Sequence, residues 1–276
     1  SGAEANECAI KVARKYAAEK KGADYNTIIT LKNSFHGRTI TTLAATGQDV
    51  FHKDFLPLTD GFIYCEANNC EELKKLIANN KIAAIMFETV QGEGGVLPLN
   101  EEFVKTIFEL AEQNDILTIA DEVQTGNGRT GKLYGYMNYG VTPDIVSTAK
   151  GLAGGLPLGA TLMGEKVKNV LKSSDHGSTF GGNPVACAGA VNILSRITDE
   201  LLEDVRAKSQ YIIETLSNAK GVKSVSGKGF MLGIETVKDA GEVIEECRKN
   251  GVLVIKAKNK VRLLPALNIP MDLLEK

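Results

Sequence analysis

The sequence predicts an α/β fold, a mainly parallel sheet sandwiched by helices and followed by a smaller C-terminal α+β domain. Three observations predict it. Short apolar runs with strand character recur at 27–31, 61–65, 83–87, 116–120, 145–148 and 159–163. Helical patterns separate several of them, notably 70–78 and 101–113, and strands alternating with helices imply a parallel sheet covered on both faces. Beyond residue 195 the pattern changes to helix 203–219, strand 231–236, helix 240–250 and strand-like runs 252–255 and 261–264. The expected division is 1–195 for the large domain and 196–276 for the small one.

The elements follow in order. Ala5, Cys8, Ala9, Val12, Ala13 and Tyr16 recur at helical spacing, with Lys and Glu on much of the other face and Gly22 as the stop. The strands and helices of the parallel sheet come next. Near Pro184 a long helical region begins, with Val191, Leu194, Ile197 and Leu201 along one face. The chain starts Ser1-Gly2-Ala3 and enters the first helix almost at once; Leu273-Leu274-Glu275-Lys276 reads as the start of an unfinished helix. The expectation is a piece of a longer protein, with both domains incomplete.

Composition narrows the function classes. The chain is 43% hydrophobic and 24% charged, an ordinary globular balance. A net charge of -2 gives no basic field for nucleic acid and no polybasic run for a membrane surface. No apolar stretch is long enough to cross a bilayer. The five cysteines form no CxxC pair. Reduced thiols and a cytoplasmic location are expected rather than disulfides or zinc.

Ligands of a parallel α/β sheet bind at the carboxyl ends of its strands. Asp121 stands at such an end, in Ile119-Ala120-Asp121-Glu122-Val123-Gln124-Thr125-Gly126. Lys150 closes Asp144-Ile145-Val146-Ser147-Thr148-Ala149-Lys150 and precedes a glycine-rich loop. A lysine ending a buried run is costly to desolvate, and desolvation lowers an amine's pKa as a Schiff-base lysine needs. Taken alone, Lys150 reads more readily as a lysine snorkelling out at a loop. Ser1-Gly2-Ala3-Glu4 opens the first helix, whose free N–H groups make an anion site suited to phosphate; a plain N-cap serine is the simpler reading. His176-Gly177-Ser178-Thr179-Phe180-Gly181-Gly182-Asn183-Pro184 precedes another helix and offers either a second phosphate contact or a tight connection.

Taken together, these segments resemble the class III (fold type I) pyridoxal-phosphate aminotransferases. The other carrying stretches are Phe35-His36-Gly37-Arg38-Thr39, Glu88-Thr89-Val90-Gln91-Gly92-Glu93-Gly94-Gly95 and Val261-Arg262-Leu263-Leu264-Pro265, so the resemblance spans essentially the whole chain. It implies that Gly2 and Ala3 bind the phosphate of pyridoxal 5'-phosphate through backbone N–H groups. Phe35 would stack on one face of the ring and Val123 pack on the other. Asp121 would pair with the ring nitrogen, and Gln124 would contact the ring hydroxyl. Lys150 would form the Schiff base and then, released by substrate, move the proton between the α-carbon and the cofactor. Ser178 and Thr179 belong to the phosphate-binding set, Thr179 reaching the neighbouring subunit of a homodimer.

For substrates the resemblance suggests Arg38 for the α-carboxylate and Arg262 for the carboxylate of 2-oxoglutarate or glutamate, with Glu93 pairing Arg262 when another substrate is bound. Either arginine also reads as a structural salt bridge. The amino donor implied is N-acetylornithine, in arginine or lysine biosynthesis; ornithine, 4-aminobutyrate and succinylornithine are the alternatives. Two positions depart from the family pattern: Thr89 and Ala266 stand where proline is common.

A competing motif is Gly126-Asn127-Gly128-Arg129-Thr130-Gly131, a literal G-x-G-x-x-G with Asp144 further on. A dinucleotide site needs a strand running straight into that loop and a helix straight after it. Five residues separate the loop from the strand end at Ala120, and 132–140 is a poor helix. His36 reads as a pocket-wall residue. His52 and His176 read as surface or loop residues, and the three histidines are not spaced as metal ligands.

Overall fold

The structure is a computed structural model describing residues 1–276. It begins with helix α1 (Gly2–Lys21), strand β1 (Thr27–Leu31), helix α2 (Ile40–Ala45), strand β2 (Phe62–Cys65), helix α3 (Cys70–Asn79) and strand β3 (Ile82–Phe87). A two-stranded ribbon, β4 (Val90–Gln91) and β5 (Leu97–Pro98), leads to helix α4 (Glu101–Gln113), strand β6 (Leu117–Asp121), strand β7 (Ile145–Thr148) and strand β8 (Ala160–Met163). The C-terminal part holds α5 (Pro184–Leu194), α6 (Asp199–Ser217), β9 (Val222–Lys228), β10 (Met231–Thr236), α7 (Ala240–Lys249), β11 (Ile255–Ala257), β12 (Lys260–Leu263) and the short α8 (Met271–Leu274).

The main sheet runs β2-β1-β3-β6-β7-β8. Every neighbouring pair is parallel except β7 with β8. Strand alternation divides the core between the two faces. Ala84 and Met86 of β3 pack with Ala9, Ile10 and Ala13 of α1. Ile85 and Phe87 pack on the other side with Leu73 of α3 and Phe103 and Ile107 of α4. Each such fully buried large side chain contributes roughly 1.5–3 kcal/mol relative to exposure. Caps hold the helix starts: Asn69 accepts from Glu72 N and Asn100 from Phe103 N.

The second sheet, β11-β12-β10-β9, is wholly antiparallel. It packs against α6 through Val205, Ile212, Phe230 and Leu232, and against α7 through Ile234, Ala240 and Val261. Arg129 ties the two sheets together, its backbone carbonyl accepting from Phe230 N and its guanidinium donating to Pro265 O at 2.5 Å.

Some expectations are corrected. The region from Pro184 is two helices, α5 and α6, separated by a break at 195–198. The stripe expected along it is not a core face, since Val191 is 70% exposed. Strand β9 and helix α2 were not foreseen. Serines and lysines interrupt the apolar pattern of β9, and α2 has only six residues. The last strand-like runs lie slightly off their expected bounds, at Ile255–Ala257 and Lys260–Leu263. No helix is long and apolar enough to cross a membrane.

Candidate active site

The carboxyl ends of β1, β3, β6 and β7 face the N-terminus of α1, and most of the expected site residues gather there. Asp121 closes β6 and is 3% exposed. Its Oδ2 accepts from Asn6 Nδ2 and from His36 Nδ1, each at 2.8 Å, and its Oδ1 accepts from Val123 N at 3.0 Å. The carboxylate at His36 Nδ1 assigns the ring proton to that nitrogen. Asn6 donates its other N–H to the His36 carbonyl at 2.7 Å. Asn6 Oδ1 and His36 Nε2 are buried without partners.

A second buried carboxyl lies beside the first. Glu88 follows β3, and its Oε2 accepts from Phe35 N at 2.9 Å. Burial pushes the Glu88 carboxyl up to about 7, against a lowering pull from His36 and with a further push from the charge of Asp121. Burial thus favours the neutral form of Glu88, while Asp121 is met by three donors.

The N-terminus of α1 closes over this corner. Ser1 and Glu4 form a capping box, so the plain N-cap reading of Ser1 holds. The first-turn N–H groups of Gly2 and Ala3 still lack intrahelical partners, as at any helix start. A Cβ on Gly2 would stand 2.6 Å from Val123 Cγ1, so only glycine lets the helix start come this close to Val123. Phe35 is half-buried, edge-on to Phe51 with ring centroids 5.5 Å apart. The exposed Arg38 guanidinium lies 5.6 Å from the Phe35 ring centroid and 5.4 Å from that of Phe51.

Lys150 follows the snorkelling reading, not the desolvated one. Residues 145–149 are buried, but Lys150 itself is exposed, at the head of a 3₁₀ turn with φ +50°. The desolvated amine expected from the preceding apolar run is therefore absent from this chain. Lys150 lines a cavity of about 880 Å³ together with Val123, Gln124, Arg129 and Arg196. Asn127 fixes the backbone before it, donating to Ala149 O at 3.0 Å and to Thr148 Oγ1 at 3.1 Å.

Arg262 reaches the same region from β12. It is 5% exposed and donates to Glu93 Oε1 at 2.8 Å and to Gln124 Oε1 at 3.1 Å. The expected Glu93–Arg262 pair is thus formed, with Gln124 as its third member. Ser178 lines a separate cavity of about 830 Å³ with Ser1, Glu4 and His176, and Thr179 is exposed. The 178–179 segment is therefore not brought to Asp121 within one chain.

The dinucleotide reading fails on geometry. Residues 126–130 form turns and 131–134 bends, with φ of +89° at Gly128 and +80° at Gly131, and only a 3₁₀ segment follows at Gly135–Tyr139. His52 is also corrected: it is 8% exposed, with Nε2 at the carbonyls of Leu43 and Thr46. Asn6 and the Asp121 side of His36 escaped the sequence reading. The available signal was a polar residue on the apolar face of α1, between Ala5 and Ala9, which demands a buried partner.

Comparison with known proteins agrees with this geometry. The class III aminotransferase family model matches residues 1–276. The acetylornithine aminotransferase of Haemophilus ducreyi is 50% identical over 278 residues, covering 100% of this chain and 71% of that protein. A Toxoplasma gondii ornithine aminotransferase structure, described as having partial occupancy of PLP at its active site, superposes with a TM-score of 0.94 at 33% identity, over 100% of this chain and 68% of that one. The N-acetylornithine aminotransferase of Stenotrophomonas maltophilia K279a superposes with a TM-score of 0.84 at 35% identity, over 100% of this chain and 70% of that one. With its parallel sheet, its strand-end Asp121 and a family match along its whole length, the chain belongs to the class III aminotransferases.

Proposed function

We propose that this protein transfers the side-chain amino group of N-acetylornithine to 2-oxoglutarate, giving N-acetylglutamate semialdehyde and glutamate, with pyridoxal 5'-phosphate as cofactor. The observation that carries the cofactor assignment is the buried Asp121, ringed by donors and lying beside a glycine-opened helix N-terminus. The donor assignment rests on the acetylornithine enzymes among the relatives.

The residues fit the group. Gly2 and Ala3 offer backbone N–H donors and a positive dipole end to the phosphate. Phe35 and Val123 supply apolar surfaces for the two ring faces, and Gln124 supplies an amide for the ring hydroxyl. When bound, pyridoxal phosphate supplies an aldehyde that exchanges amino groups and a ring that withdraws electrons from the reacting carbon. Asp121 holds the proton on the ring nitrogen. Lys150 carries the cofactor and moves a proton at the reacting carbon. In N-acetylornithine the α-nitrogen is an amide, so that carbon is the δ-carbon; in glutamate it is the α-carbon. Arg38 binds a substrate α-carboxylate. Glu93 neutralises Arg262 while the acetylated donor is bound and releases it for 2-oxoglutarate, which carries two carboxylates.

We assign residues 1–195 to the cofactor-binding domain and 196–276 to the small domain, supported by the six-stranded sheet falling in the first and the four-stranded sheet in the second. We also assign a cytoplasmic homodimer with shared sites, in which Ser178 and Thr179 serve the phosphate of the partner's site. Support comes from exposed apolar side chains around that segment, with Phe180 84% and Val185 67% exposed.

The test is spectroscopic. The purified protein should show a visible cofactor band, and borohydride should fix the label on Lys150. A protein that binds no added pyridoxal phosphate removes the proposal. A donor panel of N-acetylornithine, ornithine, succinylornithine and 4-aminobutyrate should rank N-acetylornithine first by kcat/KM.

A further inference from the structure

We infer that Asn6 is a positioning residue for Asp121, and that through it α1 sets both ends of the cofactor site at once. The inference rests on the cofactor reading above. The side chain of Asn6 is 1% exposed on the inward face of α1. One of its amide hydrogens goes to Asp121 Oδ2 and the other to the His36 carbonyl. It is therefore clamped between a loop and the carboxylate and has no freedom to turn away.

The consequence for Asp121 is geometric. Oδ2 has two donors, from Asn6 and His36, whereas Oδ1 has one, from the Val123 amide. A carboxylate oxygen accepts about two hydrogen bonds. Oδ2 is filled, and Oδ1 keeps one open position for an N–H at the ring-nitrogen site. Asn6 fills the oxygen that must not compete and fixes the plane of the carboxyl group. An apolar residue at this position would leave Asp121 with one donor fewer in a buried setting.

Asn6 also stands one helical turn beyond Gly2. The α-helix rises 1.5 Å per residue, so Gly2 and Asn6 are offset by about 6 Å along a rigid axis. The same helix thus presents first-turn N–H groups to the phosphate and a side-chain amide to the group that meets the ring nitrogen. No side-chain rearrangement intervenes between the two.

The experiment compares binding of pyridoxal phosphate with binding of its 1-deaza analogue, whose ring has carbon in place of nitrogen, by fluorescence titration. In the unsubstituted protein pyridoxal phosphate should bind more tightly than the analogue. Asn6→Leu should weaken pyridoxal phosphate by about tenfold, the scale of one hydrogen bond to a charged group, and leave the analogue within about twofold. Asn6→Asp keeps the shape and guards against a folding defect in the first variant. It should lose little at low pH, where its protonated carboxyl still donates to Asp121, and show the selective loss as pH rises and a second carboxylate ionises beside Asp121. Equal weakening of both ligands in both variants, or no weakening, overturns the role of Asn6. Failure of the unsubstituted protein to bind pyridoxal phosphate overturns the cofactor reading instead.

Discussion

Asp121 and Lys150 end neighbouring strands, yet the two ends are built in opposite ways. Asp121 is buried, met by three donors and braced by α1, the 34–38 loop and the Val123 amide two residues on. Lys150 is exposed, begins a 3₁₀ turn and lines an open cavity. Under the proposed function, the difference separates two tasks. A group that only holds a charge in place can be completed within one chain and one core. A group that must change partners during turnover has to keep its head free, and its surroundings are left to whatever closes over it. Gly151 and Gly154 of the glycine-rich loop after Lys150 line the same open cavity.

Four perturbations sharpen this contrast, in decreasing order of expected effect. Lys150→Ala should lower kcat by on the order of 10²–10⁴-fold, the range for removing a positioned proton-transfer group, with little change in melting temperature; a large loss of stability would show that the lysine is a buried structural member after all. The buried carboxyls should act through stability instead. Glu122 accepts from Gly135 N, Tyr136 N and Thr125 Oγ1, and its burial pushes it up to about 7, in the same direction as Glu88. The folded state then holds protons that the unfolded state has lost. The contribution of these two carboxyls is full below pH 4.5 and is lost as pH rises to about 7, by roughly 3 kcal/mol per carboxyl at most. Thermal melts between pH 4.5 and 8 should show that fall, and Glu122→Gln should flatten part of it; a midpoint rising over this interval would contradict the assignment.

Gly2→Val tests the junction of the two sides. A Cβ there would meet Val123 at 2.6 Å, an overpacking that costs about 1–3 kcal/mol. It should appear as weaker pyridoxal phosphate binding, by roughly 10- to 100-fold, more than as lost stability. Binding unchanged in that variant would remove Gly2 from the site. The smallest effect is expected for Ser1→Ala, which removes half of the capping box and should lower stability by about 1 kcal/mol. A loss of cofactor affinity in excess of that would give the Ser1 hydroxyl a direct contact.

The sheet was legible because its strands are continuous apolar runs bounded by breakers, and α4 was read to the residue at Glu101–Gln113. Strand β9 was not, because an antiparallel edge strand with one wet face carries Lys223, Ser224 and Ser226 among its few apolar residues. At the site, strand-end position pointed to Asp121 and Lys150, and the family resemblance led to Glu93 and Arg262. Asn6 and His36 were not connected to Asp121 because their partnership spans 115 and 85 residues of chain, and nothing in local spacing encodes it. Lys150 allowed two readings, desolvated or snorkelling, and its exposure decides for the second. The burial of 145–149 ends abruptly at a backbone turn that an apolar pattern does not announce.

That turn sets stability against function at one residue. Lys150 has φ +50°, a left-handed conformation that is unfavourable for a side chain with a Cβ by roughly 1–2 kcal/mol. Glycine would relax there at once, yet glycine has no amine. Lys150→Gly should therefore be inert and more heat-resistant than the parent.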